Sequence, residues 1–158
     1  MLCTELAKVT GQRALLENAL LEAVLLHNRC LINFVCGNSK GERDKNDIQP
    51  ADFLGRDWWP EDEQLDRQLR GRLPMLNKHL AHLSWKRVTD STPVLWSVIL
   101  VSHQTHWGMK LFTAEAARVG STQASIFEAN RDRVELALPR LGQVAETSPV
   151  LAPLRIRR

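Results

Sequence analysis

The chain has 158 residues, with 21 Lys and Arg against 18 Asp and Glu, a formal charge of +3. Apolar residues make up 44% and charged residues 25%, the proportions of one ordinary globular domain. So small a net charge gives no argument for a nucleic-acid partner, and local clusters must decide that question.

The N-terminal segment is apolar in places, but Glu5, Lys8, Arg13, Glu17 and Glu22 interrupt it. Neither a signal peptide nor a membrane span is expected. Cys3, Cys30 and Cys36 form no paired framework. On one helix, six steps of about 100° turn Cys30 and Cys36 away from each other, so no bridge is expected. That usage suits a reducing, cytoplasmic setting.

Residues 13–36 read as one long helix, with Leu16, Leu20, Ala23, His27, Leu31 and Phe34 stepping by three or four as an apolar stripe. Gly37 is a natural stop. Residues 37–60 have no sustained period. The first half reads as a solvated loop. In the second half Ile48, Phe53, Leu54, Trp58 and Trp59 are expected to fold back, with one short turn at PADFL. Trp58 and Trp59 are adjacent, so one should face inward and the other outward.

A second helical region covers 61–88, opened by the acidic PEDEQ. Pro74 should kink or split it into 61–72 and 75–88. Leu73, Leu76, Leu80 and Leu83 form its apolar stripe. A third helix covers 93–118, capped by Ser91 or Thr92, begun by Pro93 and ended by Gly120. Trp96, Leu100, His103 and Trp107 are its expected core stripe, which makes His103 a buried, hydrogen-bonded histidine. A weaker fourth helix follows Gly120, and the proline-containing end from Pro139 reads as a poorly ordered basic tail. The fold class is all-α, a bundle of three to four long helices. Residues 1–120 make the bundle domain, and 121–158 the weakly patterned helix and tail.

The chemistry concentrates in NKHLAHLSW, residues 77–85. Arg72 and His79 fall almost in line along the helix, and His82 lies about 60° further round, toward Lys78 and Lys86. A histidine titrates near neutral pH and can act as general base or acid. An adjacent Arg or Lys can hold a phosphate. Together these suit RNA cleavage without a metal, with the ribose hydroxyl as nucleophile. Two other readings stay open. The same residues can be a solvated rim around a leucine face. The HxxH pairs His79/His82 and His103/His106, with His27, can be metal ligands in a bundle, although a metal site or cofactor is not the expectation.

NKHLAHL in mid-helix, after the apolar LLEAVLLHNRCLINFV and the intervening DIQPADFLGRDWW, resembles the HEPN superfamily of small helical bacterial domains, over about residues 15–88. The closer resemblance is to abortive-infection or toxin-like members with an Asn-Lys-x-x-Ala-His-Leu pattern. It implies a metal-independent ribonuclease that builds its site from two copies around an Arg-x(4–6)-His motif. On this chain the motif histidine corresponds to His82, with His79 and Arg72 as further catalytic candidates and Lys78, Asn77 and Lys86 as substrate contacts. The motif arginine departs from the pattern: Met75, Leu76 and Asn77 occupy its expected place before His82, and only Arg72 to His79 keeps the spacing. The resemblance therefore implies a divergent or inactive ribonuclease of a defence system, a homodimer, with RNA and an antitoxin-like protein as partners and no membrane. The competing class is a non-enzymatic helical dimer acting through protein contacts.

Overall fold

The computed structural model describes residues 19–20, 22–38, 40–78 and 98–147, and every regular element among them is a helix. The chain is an all-α bundle. We number the helices α1 (residues 22–36), α2 (Pro50–Leu54), α3 (Glu63–Leu76), α4 (Val98–Arg118) and α5 (Ala124–Thr147).

Side-chain contacts fix the directions. Asn28 of α1 meets Ser102 of α4, and Val35 lies against Gly108, so α1 and α4 run parallel. Arg29 meets Asn77 of α3, while Cys36 at the other end of α1 lies near Asp66, so α3 runs antiparallel to α1. Lys110 of α4 meets Glu135 and Phe112 meets Phe127, so α5 runs antiparallel to α4. The four long helices alternate up and down, and α4 packs on α2, α3 and α5.

All four phenylalanines of the chain join one cluster. Phe112 is at its centre, fully buried, with ring centroids at 4.9 Å from Phe34, 5.1 Å from Phe127, 5.7 Å from Trp58 and 6.1 Å from Phe53, all edge-to-face. Edge-to-face pairs add attraction beyond the area they bury. The cluster thus draws α1, α2, α4, α5 and the loop after α2 onto one point. The adjacent tryptophans diverge as expected: the inward one is Trp58, and Trp59 faces out, 41% exposed. The short turn at PADFL is α2, and Leu54 is buried there, whereas Ile48 is 70% exposed and does not fold back.

Two predicted stripes are corrected. Leu20, before α1, and Leu31, on it, are exposed, and the buried line of α1 is Leu25, Asn28, Ile32 and Val35, about 100° round the helix. That helix is apolar on several sides, so periodicity alone offers two lines. The buried amide of Asn28 selects one of them, because its Nδ2 donates to Val24 O at 2.9 Å and to Ser102 Oγ at 3.1 Å. On α4, Leu100, His103 and Trp107 are exposed, and the buried face is Val98, Val101, Ser102, Thr105, Gly108, Phe112, Thr113 and Ala116. Small residues win that face because two helices approach it closely. A Cβ at Gly108 would stand 3.2 Å from Val35 Cγ1 and 3.3 Å from Leu69 Cδ1. Trp96 lies outside the described residues.

The expected split at Pro74 is not found. Helix α3 begins at the Asp62 cap, whose carboxylate accepts from Leu65 N at 2.9 Å, and passes through Pro74 to Leu76. Pro74 is on the exposed side, so its ring displaces nothing in the core. The missing N–H costs the helix only the bond to Arg70 O; a widened turn follows at 77–78, and Asn77 N–H reaches both Leu73 O and Pro74 O. Leu73 and Leu76 are buried as predicted, joined by Leu65 and Leu69; Leu80 and Leu83 lie outside the described residues. Helix α5 likewise continues through Pro139 to Thr147, where a tail was expected to begin. Cys30 and Cys36 are both free, the first exposed and the second buried.

The segment just after α2 is tied to α4 by a shared carboxylate. Arg118 donates Nε and Nη2 to Glu115 at 2.7 and 2.6 Å, and Arg56 donates to the same group. The Arg118 hydrogen bonds, joined by Arg56 and opposed by desolvation, bring the Glu115 carboxyl down from 4.5 to about 2.

Two measurements check this packing. Gly108→Leu should destabilise by roughly 1–3 kcal/mol in urea denaturation, because both neighbours of that Cβ are core side chains. Glu115→Gln should lower the urea midpoint near neutral pH. The folded pKa is depressed, so the carboxylate contributes fully above about 4.5 and loses its contribution as pH falls toward 2; the gap between wild type and variant should close over that window.

Candidate functional site

The buried leucine stripe of α3 divides its remaining side chains into two margins. With Leu69 at the centre, Gln68 and Arg72 fall about 60–100° to one side, and Asp66, Arg70 and Asn77 a similar angle to the other. Contacts assign the margins. Gln104 Nε2 of α4 donates to Gln68 Oε1 at 2.7 Å, so the Arg72 margin faces α4. Arg29 Nε of α1 donates to Asn77 Oδ1, so the Asn77 margin faces α1.

The predicted residues are therefore not all brought together. Arg72 is half-buried on the α4 side. Asn77, expected to contact substrate, has its amide oxygen engaged by Arg29 and acts as a tie between helices. Lys78 is half-buried at the widened turn. His79, His82 and Lys86 lie outside the described residues. Arg29 is the functional addition that sequence reasoning missed: it brings a further cation to the end of α3, and only its partner across the bundle reveals it.

The Asn77 margin is occupied by structural chemistry. Arg43, in the loop after α1, donates Nη2 to Val35 O and to Trp58 O, both at 2.9 Å, and stacks on Trp59 with its guanidinium carbon 3.6 Å from the ring centroid. It satisfies a carbonyl at the end of α1 that no helical N–H can reach. Burial lowers its pKa below the ordinary arginine value. Arg70 sits 5.1 Å from the same ring and donates to Asp66 Oδ2 at 2.7 Å. Burial first, and Asp66 second, push the Cys36 thiol up to about 12. A thiol so far from ionisation is not a nucleophile.

The Arg72 margin opens on a cleft of about 270 Å³ between the start of α3 and the middle of α4. Asp62, Gln64, Leu65, Gln68, His103, Gln104 and Trp107 line it. His103, expected to be buried, stands exposed at this cleft, because the α4 core face is turned toward Gly108 instead. Gln104 Oε1 is shielded from solvent and has no hydrogen-bond partner. Trp107 is 48% exposed, with the Lys110 ammonium 5.6 Å from its ring centroid.

His106, one turn from His103, points to α5 rather than into the cleft. Its Nε2 is 3.5 Å from Glu135 Oε1, an ion-pair distance too long for a good hydrogen bond, and the carboxylate is held at 2.6 Å by Lys110. Burial lowers the pKa of His106, with Glu135 opposing. His27 is exposed and spends Nδ1 on Ala23 O at 2.8 Å. Among the described residues no three of His, Cys, Asp and Glu converge as a metal site. No described helix is long and apolar enough to cross a membrane.

Comparison with family models, curated proteins and solved structures finds no match. The site must therefore be read from its own chemistry.

The tie at Asn77 is testable. Asn77→Ala leaves the Arg29 guanidinium without this acceptor and should cost about 1–3 kcal/mol of stability, measured by urea denaturation. Asn77→Asp, which keeps an acceptor oxygen, should retain most of it.

Proposed function

We propose that this chain is a HEPN-like protein directed at RNA, a divergent ribonuclease of a bacterial defence or toxin system that works as a homodimer. The observation that carries the reading is the place of Arg72. It stands on the α4-facing margin of α3, one turn beyond Gln68 and hence next to the cleft. In the sequence His79 keeps the motif spacing from Arg72 and His82 follows three residues later, both outside the described residues. In the proposed reaction Arg72 and Lys78 hold a phosphate. His82 accepts the proton of a ribose 2′-hydroxyl, whose oxygen attacks the adjacent phosphorus. The 5′-oxygen leaves with a proton supplied by His79, and a cyclic phosphate remains. No metal enters the scheme.

A second reading has its own support. Leu26 and Leu31 lie exposed on α1 and Leu20 lies exposed before it, and Leu20 and Leu31 belong to the periodic stripe that sequence reasoning assigned to the core. Exposed apolar side chains repeated along one helix suit a protein contact, including a second copy or an antitoxin-like protein. In that reading the chain is a helical interaction module with no catalysis.

Incubation of purified protein with total RNA in the presence of a chelator separates the two. Cleavage abolished by His82→Ala, at unchanged helicity, supports the ribonuclease. Intact RNA from a protein that light scattering shows to be dimeric supports the interaction module.

A further inference from the structure

The cleft between α3 and α4 has a composition that no bundle core requires. Trp107 is the largest side chain at its edge and almost half of it faces solvent, although Trp usually repays burial more than any other residue. Its lining includes an amide pair. Gln104 Nε2 donates to Gln68 Oε1, while Gln104 Oε1 is shielded from water and unpartnered. An orphaned buried acceptor costs free energy, so a donor brought by a ligand would be favoured there after a small rotation of the amide. His103 adds a ring nitrogen at the rim, and Asp62 adds a carboxylate oxygen beyond the one that caps α3. The volume, about 270 Å³, falls just below the roughly 300–1,000 Å³ of drug-sized pockets, which suits a single ring system.

We infer that this cleft is a subsite for one unpaired nucleobase, stacked on Trp107 with its hydrogen-bonding edge toward Gln104 and Gln68. The chemistry selects that class of ligand. An indole face attracts a flat ring, and adjacent amides offer the donor and acceptor that a base edge matches. Cations flank the place where a sugar-phosphate would leave it: Lys110 beside Trp107, partly neutralised by Glu135, and Arg72 one turn beyond Gln68. An aliphatic peptide would use neither the amide pair nor the orphaned oxygen. The subsite deepens the RNA-directed reading and rests on it for the identity of the strand, but binding here is independent of whether the strand is cut.

The test uses the full chain carrying His82→Ala, so that bound RNA stays intact. Fluorescence anisotropy compares labelled single-stranded oligoribonucleotides of one base each with a duplex, and free nucleoside monophosphates compete. Single strands should bind at least about tenfold more tightly than the duplex, whose bases are already stacked. Trp107→Ala should weaken single-strand binding by roughly 5- to 150-fold, the worth of one stacked base. Trp107→Phe should restore most of it. Gln104→Glu, which accepts only, should shift preference toward bases that offer an amino group. Competition by monophosphates identifies a free nucleotide as the source of the base, and its failure identifies a strand; either outcome supports the subsite. Equal binding by the Trp107→Ala variant, or no binding of strand or nucleotide at high micromolar protein, overturns it. So does a Trp107→Ala variant that loses self-association instead of RNA. Binding that needs Trp107 without any cleavage by the wild-type chain would remove the nuclease reading and leave the subsite standing. Cleavage lost with His82→Ala but indifferent to Trp107 would do the reverse.

Discussion

The Phe112 ring is the point on which the bundle depends. It touches aromatic rings from α1, α5, α2 and the segment after α2, so one side chain determines how four separate stretches of chain approach each other. Edge-to-face contacts are directional, unlike aliphatic ones, and six such pairs around a buried centre leave little freedom to slide or rotate. One turn before Phe112, Gly108 removes the side chain that would hold α1 and α3 away. Together they turn a single face of α4 into the axis of the domain.

That arrangement explains what the sequence could and could not disclose. Helix ends were legible where chemistry marks them: the acidic PEDEQ opens α3, although through the Asp62 cap rather than with a proline in its first turn, and Gly37 and Gly120 end α1 and α4 with positive φ. The turn at PADFL and the opposed directions of Trp58 and Trp59 were legible too. The rotation of α1 and α4 was not. Hydrophobic periodicity assumes that the largest apolar residues mark the buried face, and on α4 that rule selects Leu100 and Trp107. The face in fact used carries Ser102, Thr105, Gly108, Thr113 and Ala116, because close helix approach rewards small side chains over apolar area. Asn28 and Ser102 satisfy each other across the interface, a pairing invisible until both helices are placed. Neither proline ends its helix, and for one reason. Pro74 and Pro139 stand on exposed positions, where a helix can lose one hydrogen bond and carry on.

The candidate site followed the same division. Arg72 was visible as a cation on a helix margin, but the neighbours that give it meaning come from α4. Gln68, Gln104, His103 and Trp107 belong to two helices that run in opposite directions, so no linear motif contains them. Arg29 and Asn77 are 48 residues apart and form one contact. Short motifs report chemistry carried within a turn or two of helix; a cleft between antiparallel helices has no such signature.

The Arg43 clamp divides the long connection after α1 into unequal parts. Its guanidinium joins Val35 O to Trp58 O, so the two ends of the intervening chain are held together independently of what lies between them. Residues 44–48 beyond the clamp are all exposed. Closing a loop costs entropy mainly when its ends are brought together, and lengthening it afterwards costs little. The chain could therefore be opened or extended at this tip, to receive an inserted domain or to begin a circularly permuted sequence, while the aromatic cluster below keeps its geometry.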